Sequence, residues 1–363
     1  MNAPASRRIL PALFFAAWGA LFSVKILAEV DPDLFFHLKE GQRIVRDGRF
    51  PLHEEYSFTA KGRDMVATEW IPQAAGWVLF DAAGYPGVAF FHALLLLASL
   101  IALYRATGSA LPGELRILLI ALAAFGYMNF CAARVQAYTF LLFSLFLLWT
   151  RAWEEGSEAA PWAMAVALGF WANMHGGFMA GWFLLTGICL LRLRKTGHPW
   201  ELGPSLLGAF LCFLHPSGPM AFVYPAWFFF SPPASRSMVL EWTPLDFSQA
   251  NAAPTLLILA ALAWTGLKGI AAPFPWAALT LALLAASLRG RKLLPLFGAA
   301  AVVSMSLKLR GVDWTARRRK ACLAGAAAVT LAMAWVVWPA EKRLASGLAA
   351  DMESAYPRAA VEW

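Results

Sequence analysis

Two aspartates one residue apart stand just after the first apolar stretch, in Glu29-Val30-Asp31-Pro32-Asp33. Carboxylates on either side of a proline can face a common point. Such a pair can take a proton from a hydroxyl as general base. It can also hold a divalent metal ion, which prefers oxygen ligands. Asp33 also suits the N-cap of a following helix, a role compatible with chemistry; Asp31 has no such duty. His37 lies one helical turn after Asp33, on the same face. It offers a proton acceptor, a phosphate-binding cation or a metal ligand, and equally a packing or hydrogen-bonding residue. Lys25, one turn before Glu29, reads as a snorkelling partner for that carboxylate.

Further along, Arg134-Val135-Gln136 occupies a tight turn between apolar blocks. The fork of donors on an arginine suits a phosphate or pyrophosphate, and a salt bridge is the plainer alternative. Arg289, Arg291 and Lys292 form a second cationic cluster. Together these four cations are the candidates for an anionic group. Asn173-Met174-His175-Gly176-Gly177 combines polar side chains with glycines that allow a tight reversal. His215-Pro216 ends a later apolar block, and Glu69-Trp70 and Glu241-Trp242 each set a carboxylate beside an indole. A Glu beside an interfacial Trp can simply mark a helix boundary, and that reading is expected for at least one pair. His37, Glu69, Gln136, Asn173, His175, His215 and Glu241 make up the candidate substrate pocket.

The elements that must position these groups are apolar helices. The 363 residues are 60% hydrophobic and only 14% charged, against about 25% charged in a soluble domain. A helix needs about 20 apolar residues to cross a bilayer, and only internally hydrogen-bonded backbone survives there. The pattern predicts an all-α polytopic bundle of about 11 spans. Those spans are 9–28, 86–104, 117–131, 138–150, 162–174, 178–191, 202–214, 255–267, 276–288, 293–307 and 322–338. Arg7 and Arg8 favour a cytoplasmic start, and short basic loops recur between spans, the strongest at Lys308–Lys320. The net charge of +8 is therefore a topology signal; it does not point to nucleic acid. Cys131, Cys189, Cys212 and Cys322 form no C-x-x-C pair and read as small buried hydrophobes.

The first external loop, about 29–85, carries amphipathic surface helices. From Asp33, Leu34, Leu38, Ile44 and Val45 recur at helical spacing, with Lys39, Gln42, Arg43 and Arg46 opposite. A second surface helix over 71–81 enters the next span through Gly84 and Pro86. The carboxylates, imidazoles and guanidiniums singled out above then map to one membrane face, the non-cytoplasmic one.

These features resemble the GT-C superfamily of membrane glycosyltransferases, and most closely a poorly characterised bacterial subgroup. The resemblance rests on Asp31-Pro-Asp33-Leu-Phe-Phe-His37-Leu, Gly48-Arg-Phe-Pro51, Tyr56-Ser-Phe-Thr59 and Glu69-Trp70. Arg134-Val-Gln136, Trp171-Ala-Asn173-Met-His175-Gly-Gly and Glu241-Trp242 extend it. It implies a GT-C-like domain over 1–338 in a bacterial inner (plasma) membrane, with its active face periplasmic or extracellular. It also implies a polyprenyl-phosphate sugar donor, a membrane-lipid environment, and Asp31 or Asp33 as the acceptor-activating carboxylate. Arg134 and the Arg289–Lys292 cluster would meet the lipid phosphate. Glu54 stands where the subgroup has Asp, and His215 where it has Asn. Residues 339–363 read as a short external tail, the mark of a short or truncated form. Two other classes stay open: a lipid or solute transporter or flippase, expected to show repeats and midplane polar groups, and a non-catalytic membrane assembly subunit.

Overall fold

A computed structural model describes residues 6–231, 239–267 and 272–345. Lys268 and the tail beyond 345 lie outside the described residues. Among the described residues the fold is all helical, and the only strand-like pairing is an isolated antiparallel bridge between His53 and Asp64. The helices are α1 (Ser6–Ala28), α2 (Asp33–Asp47), α3 (Trp70–Ala106), α4 (Gly113–Tyr127) and α5 (Gln136–Glu154). Then follow α6 (Ala160–Ala172), α7 (Phe178–Thr196), α8 (Gly203–Cys212) and α9 (Met220–Phe230). The last are α10 (Ala253–Leu267), α11 (Phe274–Arg289), α12 (Leu294–Lys308) and α13 (Ala316–Ala345).

Among the described residues, five stretches are helical, long and apolar enough to cross a membrane: Ile9–Ala28, Trp70–Ala106, Gly113–Phe130, Arg291–Gly311 and Ala316–Trp338. Ala160–Ala172, Met220–Phe230, Ala253–Leu267 and Phe274–Arg289 are apolar but shorter. The most interior is α12, whose residues from Leu294 to Ser306 are all buried. A helix apolar on every side is either enclosed by others or faces lipid; α12 is enclosed, packing on α4, α5, α10 and α11. Where α3, α4 and α5 meet, the Ser99 hydroxyl joins the Tyr127 hydroxyl (2.9 Å), the Ser144 hydroxyl (2.8 Å) and the Phe140 carbonyl (3.0 Å). Small hydroxyls of this kind satisfy one another across apolar interfaces.

The polar loop after α1 folds back on the bundle end. In α2, Leu34 and Leu38 are buried against α3 while Lys39 and Arg46 face out. Val45, expected in the buried stripe, is exposed instead. The helix stops at Gly48, whose left-handed φ of 65° lets its N–H return to the Ile44 carbonyl. The expected second surface helix is present as the first part of α3. Gly84 breaks the helical path with φ 61° and ψ −166°, a conformation costly for any residue with a Cβ. The chain thereby turns from the surface layer into the long apolar run after Pro86.

The stretch from His215 to Asn251, between the spans expected at 202–214 and 255–267, contains the apolar helix α9. Helix α9 packs with Pro225 near Gly176 and Phe228 against Trp242. Asp33 is not the N-cap of α2, a position that Pro32 takes. The Asp31 carboxylate accepts the Asp33 N–H at 2.9 Å, so Asp31 carries the structural duty expected of its neighbour.

Candidate active site

One end of the bundle collects side chains from six places in the chain. Arg134, from the turn before α5, is the hub. Its Nε donates to Asp31 Oδ2, its Nη1 pairs with Glu241 Oε1, and its Nη2 lies 3.5 Å from Asp33 Oδ2. Asp31 is buried, whereas the Asp33 side chain is 64% exposed. Glu241, on a single-turn helix at Leu240–Trp242, turns its other oxygen towards Gln136 Nε2 (3.1 Å) and Lys292 Nζ (3.5 Å). Lys292 also lies over the Trp242 ring, 5.4 Å from its centroid.

A second carboxylate, Glu69, stands between two imidazoles. His37 Nδ1 is 3.7 Å from Glu69 Oε2, and His175 Nε2 is 3.9 Å from Oε1. The position of Glu69 follows from the start of α3, which is tied to the end of α6. Trp70 Nε1 donates to Asn173 Oδ1 at 2.7 Å, and the Ile71 N–H meets the Asn173 carbonyl. Asn173 is thus a bracket that positions Glu69.

The tautomer of His175 is set by its neighbours. The Gly177 N–H donates to Nδ1 at 3.0 Å, and the Thr139 hydroxyl reaches the same atom at 2.8 Å while receiving Trp171 Nε1–H at 3.0 Å. An Nδ1 that accepts leaves the ring proton on Nε2. Burial holds the His175 pKa well below the ordinary histidine range, and the nearby Lys292 and His37 push the same way. His175 is therefore a neutral donor whose Nε2–H faces Glu69. Gly177 is required for this, because a Cβ there would fall 2.5 Å from Thr139 Oγ1 and 2.9 Å from His175 Nδ1.

Two cavities adjoin the cluster. The larger, about 1430 Å³, is lined at this end by Glu69, Gln136, His175, Trp242 and Lys292. It continues between α7, α9 and α11 along Phe183, Leu184, Ile188, Leu191, Leu279 and Leu283. It finishes at the opposite end of the bundle beside Glu154, Glu158, Arg192, Arg194 and Lys195. The smaller, about 340 Å³, is lined by Lys25, Glu29, Asp31, Arg134, Glu241 and Arg291, with Asn129 and Asn251.

The structure thus brings Asp31, Asp33, Arg134, Gln136, Glu241 and Lys292 into one cluster, and His37, Glu69 and His175 into its neighbour. Both Glu-Trp pairs contribute their carboxylate, although one was expected to be only a boundary mark. The cationic cluster divides: Lys292 faces the large cavity, Arg291 the small one, and Arg289 turns away, stacked 5.8 Å over Phe229. His215 stays outside both cavities; its Nδ1 accepts the Ser217 N–H at 2.9 Å, and Ser217 Oγ accepts the Ala67 N–H. An asparagine oxygen can cap such a turn in the same way. Glu54 likewise caps a turn, accepting the Tyr56 and Ser57 N–H groups at 2.8 Å each.

No protein-family model and no curated protein matches this chain. Among the described residues no group of three or more His, Cys, Asp or Glu is arranged to hold a metal ion. The place between Asp31 and Asp33 where a cation would bridge is taken by the Arg134 guanidinium, so the pair does not fit a metal in this arrangement. Thr139, Gln73, Asn129 and Asn251 were not expected from sequence. Gln73 lies 3.2 Å from His37 Nδ1. The available signal for Thr139 was a hydroxyl three residues after Gln136, before a long apolar run.

Proposed function

We propose that the chain is a membrane glycosyltransferase that moves a sugar from a polyprenyl-phosphate donor to an acceptor hydroxyl on the non-cytoplasmic side. One observation carries this reading: a long apolar cavity ends at Glu69, His175 and Lys292, next to the Asp31–Arg134–Glu241 cluster. An apolar channel with a polar head suits a lipid tail bearing an anionic group. The adjoining carboxylates suit activation of a nucleophile.

In this reading Asp31 is the general base. It lines the small cavity, and each carboxylate oxygen keeps a lone pair beyond its bond to the Asp33 amide or Arg134. The acceptor hydroxyl gives its proton to Asp31 and forms a bond to the anomeric carbon. The bond from that carbon to the phosphate oxygen breaks, and its electron pair leaves with the polyprenyl phosphate. Lys292 and the Nε2–H of His175 stabilise the departing phosphate. Among the clustered groups, Asp31, Asp33, Glu69 and Glu241 outnumber Arg134 and Lys292. An entering anion must therefore displace a carboxylate from a cation. Lys292, with one contact at 3.5 Å, is the cation that exchanges most easily.

The topology proposed with it has 11 crossings, the helices other than α2 and α9, N-terminus cytoplasmic. Arg151, Arg192, Arg194, Lys195, Arg310 and Arg319 fall at the end opposite the cluster, as the positive-inside preference requires. A bacterial inner membrane is the setting that the resemblance implies.

One observation favours a second reading. The large cavity reaches Arg192 and Lys195 at the opposite end, as a lipid-translocating path would. The two are separated by reconstituting purified protein in vesicles with a labelled polyprenyl-phosphate hexose and an alkyl glycoside. Label appearing on the glycoside supports the transferase. Movement of labelled lipid between leaflets, without transfer, supports translocation and sinks the transferase.

A further inference from the structure

The two cavities share a wall, and its composition names what the smaller one takes. Glu241 Oε2 faces Gln136 and Lys292, which line the large cavity; Glu241 Oε1 meets Arg134, which lines the small one. Around the small cavity three cations (Lys25, Arg134, Arg291) stand against three carboxylates (Glu29, Asp31, Glu241). Lys25 is paired with Glu29, and Arg134 with Asp31 and Glu241. The wall is therefore charge-balanced, and five of these six ions already engage one another. A charged guest would have to break these pairs without an ionic gain. A neutral guest rich in hydroxyls can hydrogen-bond to paired ions and amides while leaving the pairs intact. Asn129 and Asn251 add amide groups, with Asn129 Nδ2 donating to the Asn251 carbonyl at 2.7 Å. About 340 Å³ lies at the small end of ligand pockets and suits a group of sugar-ring size.

We propose that this cavity is the acceptor subsite and binds an uncharged, polyhydroxylated group, with Asn129 and Asn251 setting its specificity. The assignment of acceptor rests on the transferase reading above; the binding chemistry does not. The donor sugar approaches from the large cavity, and the acceptor hydroxyl meets it at the Glu241 wall beside Asp31.

The test measures binding and turnover separately on protein in lipid nanodiscs. Saturation-transfer NMR with methyl hexosides is expected to show binding of neutral glycosides. The same sugars carrying a carboxylate or phosphate are expected to bind at least about tenfold more weakly. In Asn129→Leu and Asn251→Leu, neutral-glycoside affinity should fall by about tenfold, one lost hydrogen bond's worth. Thermal unfolding of each variant identifies one that fails to fold. Asn129→Asp tests the point without deleting the side chain: it should weaken neutral-glycoside binding and not create anion binding. In the transfer assay the acceptor KM should rise while the donor KM stays within about twofold. Absence of glycoside binding to wild type, preference for charged glycosides, or a change in donor KM alone overturns the proposal. Glycoside binding that follows these expectations, with no transfer by wild type, overturns the transferase reading and leaves the neutral-glycoside site in place.

Discussion

Arg134 and Lys292 share one carboxylate, Glu241, and differ in almost everything else. Arg134 also holds Asp31 and reaches towards Asp33, whereas Lys292 has a single ion-pair contact at 3.5 Å and an indole face. Arg134 faces the small cavity and Lys292 the large one. A guanidinium with a fixed fork of donors suits a site where several carboxylates must be held at once. An ammonium on a flexible stem suits a site where the partner changes. The difference teaches that one cation is a keystone and the other a cavity-facing charge, although both were candidates for the same phosphate.

Three experiments press on that difference. The largest effect is expected from Arg134→Met, which leaves Asp31 and Glu241 without their common partner. Removing one member of a buried ion cluster costs about 3–5 kcal/mol, so thermal unfolding should move down sharply. Adding Glu241→Gln should recover part of the loss, a coupling that a double-mutant cycle reads directly. If Arg134→Met unfolds like wild type, the keystone role is wrong. Lys292→Met should leave unfolding nearly unchanged, because Glu241 keeps Arg134 and Gln136. Its effect belongs on the donor, whose KM should rise roughly ten- to hundredfold for a lost charge-assisted bond. A large drop in stability with unchanged donor KM would reverse the assignment of the two cations.

The third effect is smaller and appears with pH. His175 is held neutral by burial, and burial also lowers the pKa of His215. In each case the unfolded chain binds a proton that the folded protein does not. Stability is then lost as pH falls below the ordinary histidine value of about 6.5. His175→Gln should flatten this fall without abolishing it, since His215 remains. A melting profile in the variant as steep as in wild type would show that His175 is not held neutral.

The helices were legible in the sequence because apolar run length and basic flanks report directly on membrane crossing. The amphipathic α2 and the turn at Gly84-Tyr85-Pro86 were legible through spacing and backbone chemistry. Helix α9 was missed because its apolar run, Met220–Phe230, is interrupted by Pro225 and lies between polar stretches. Asp31, Arg134, Glu241 and Lys292 were each legible as polar groups at apolar borders. Their meeting was not, since the residues that pair are separated by about fifty to a hundred positions and only packing sets the distance. For the same reason Arg289 and Lys292, three residues apart, could not be told to face different ways. Asn173 and His215 drew notice as chemistry and proved to be brackets, because a side chain that holds a turn and one that holds a ligand look alike in one dimension.

The central claim is that Asp31 takes the acceptor proton and that Asp33, exposed beside it, does not. It is tested most directly by the rate of sugar transfer from labelled polyprenyl-phosphate hexose in Asp31→Asn and Asp33→Asn, each in nanodiscs beside wild type. Asp31→Asn should lower kcat about 10²–10⁴-fold, the usual loss of a general base, with donor KM little changed. Asp33→Asn should stay within about tenfold of wild type, as its one contact to Arg134 is exposed and long. Full activity in Asp31→Asn, or collapse confined to Asp33→Asn, would contradict the account.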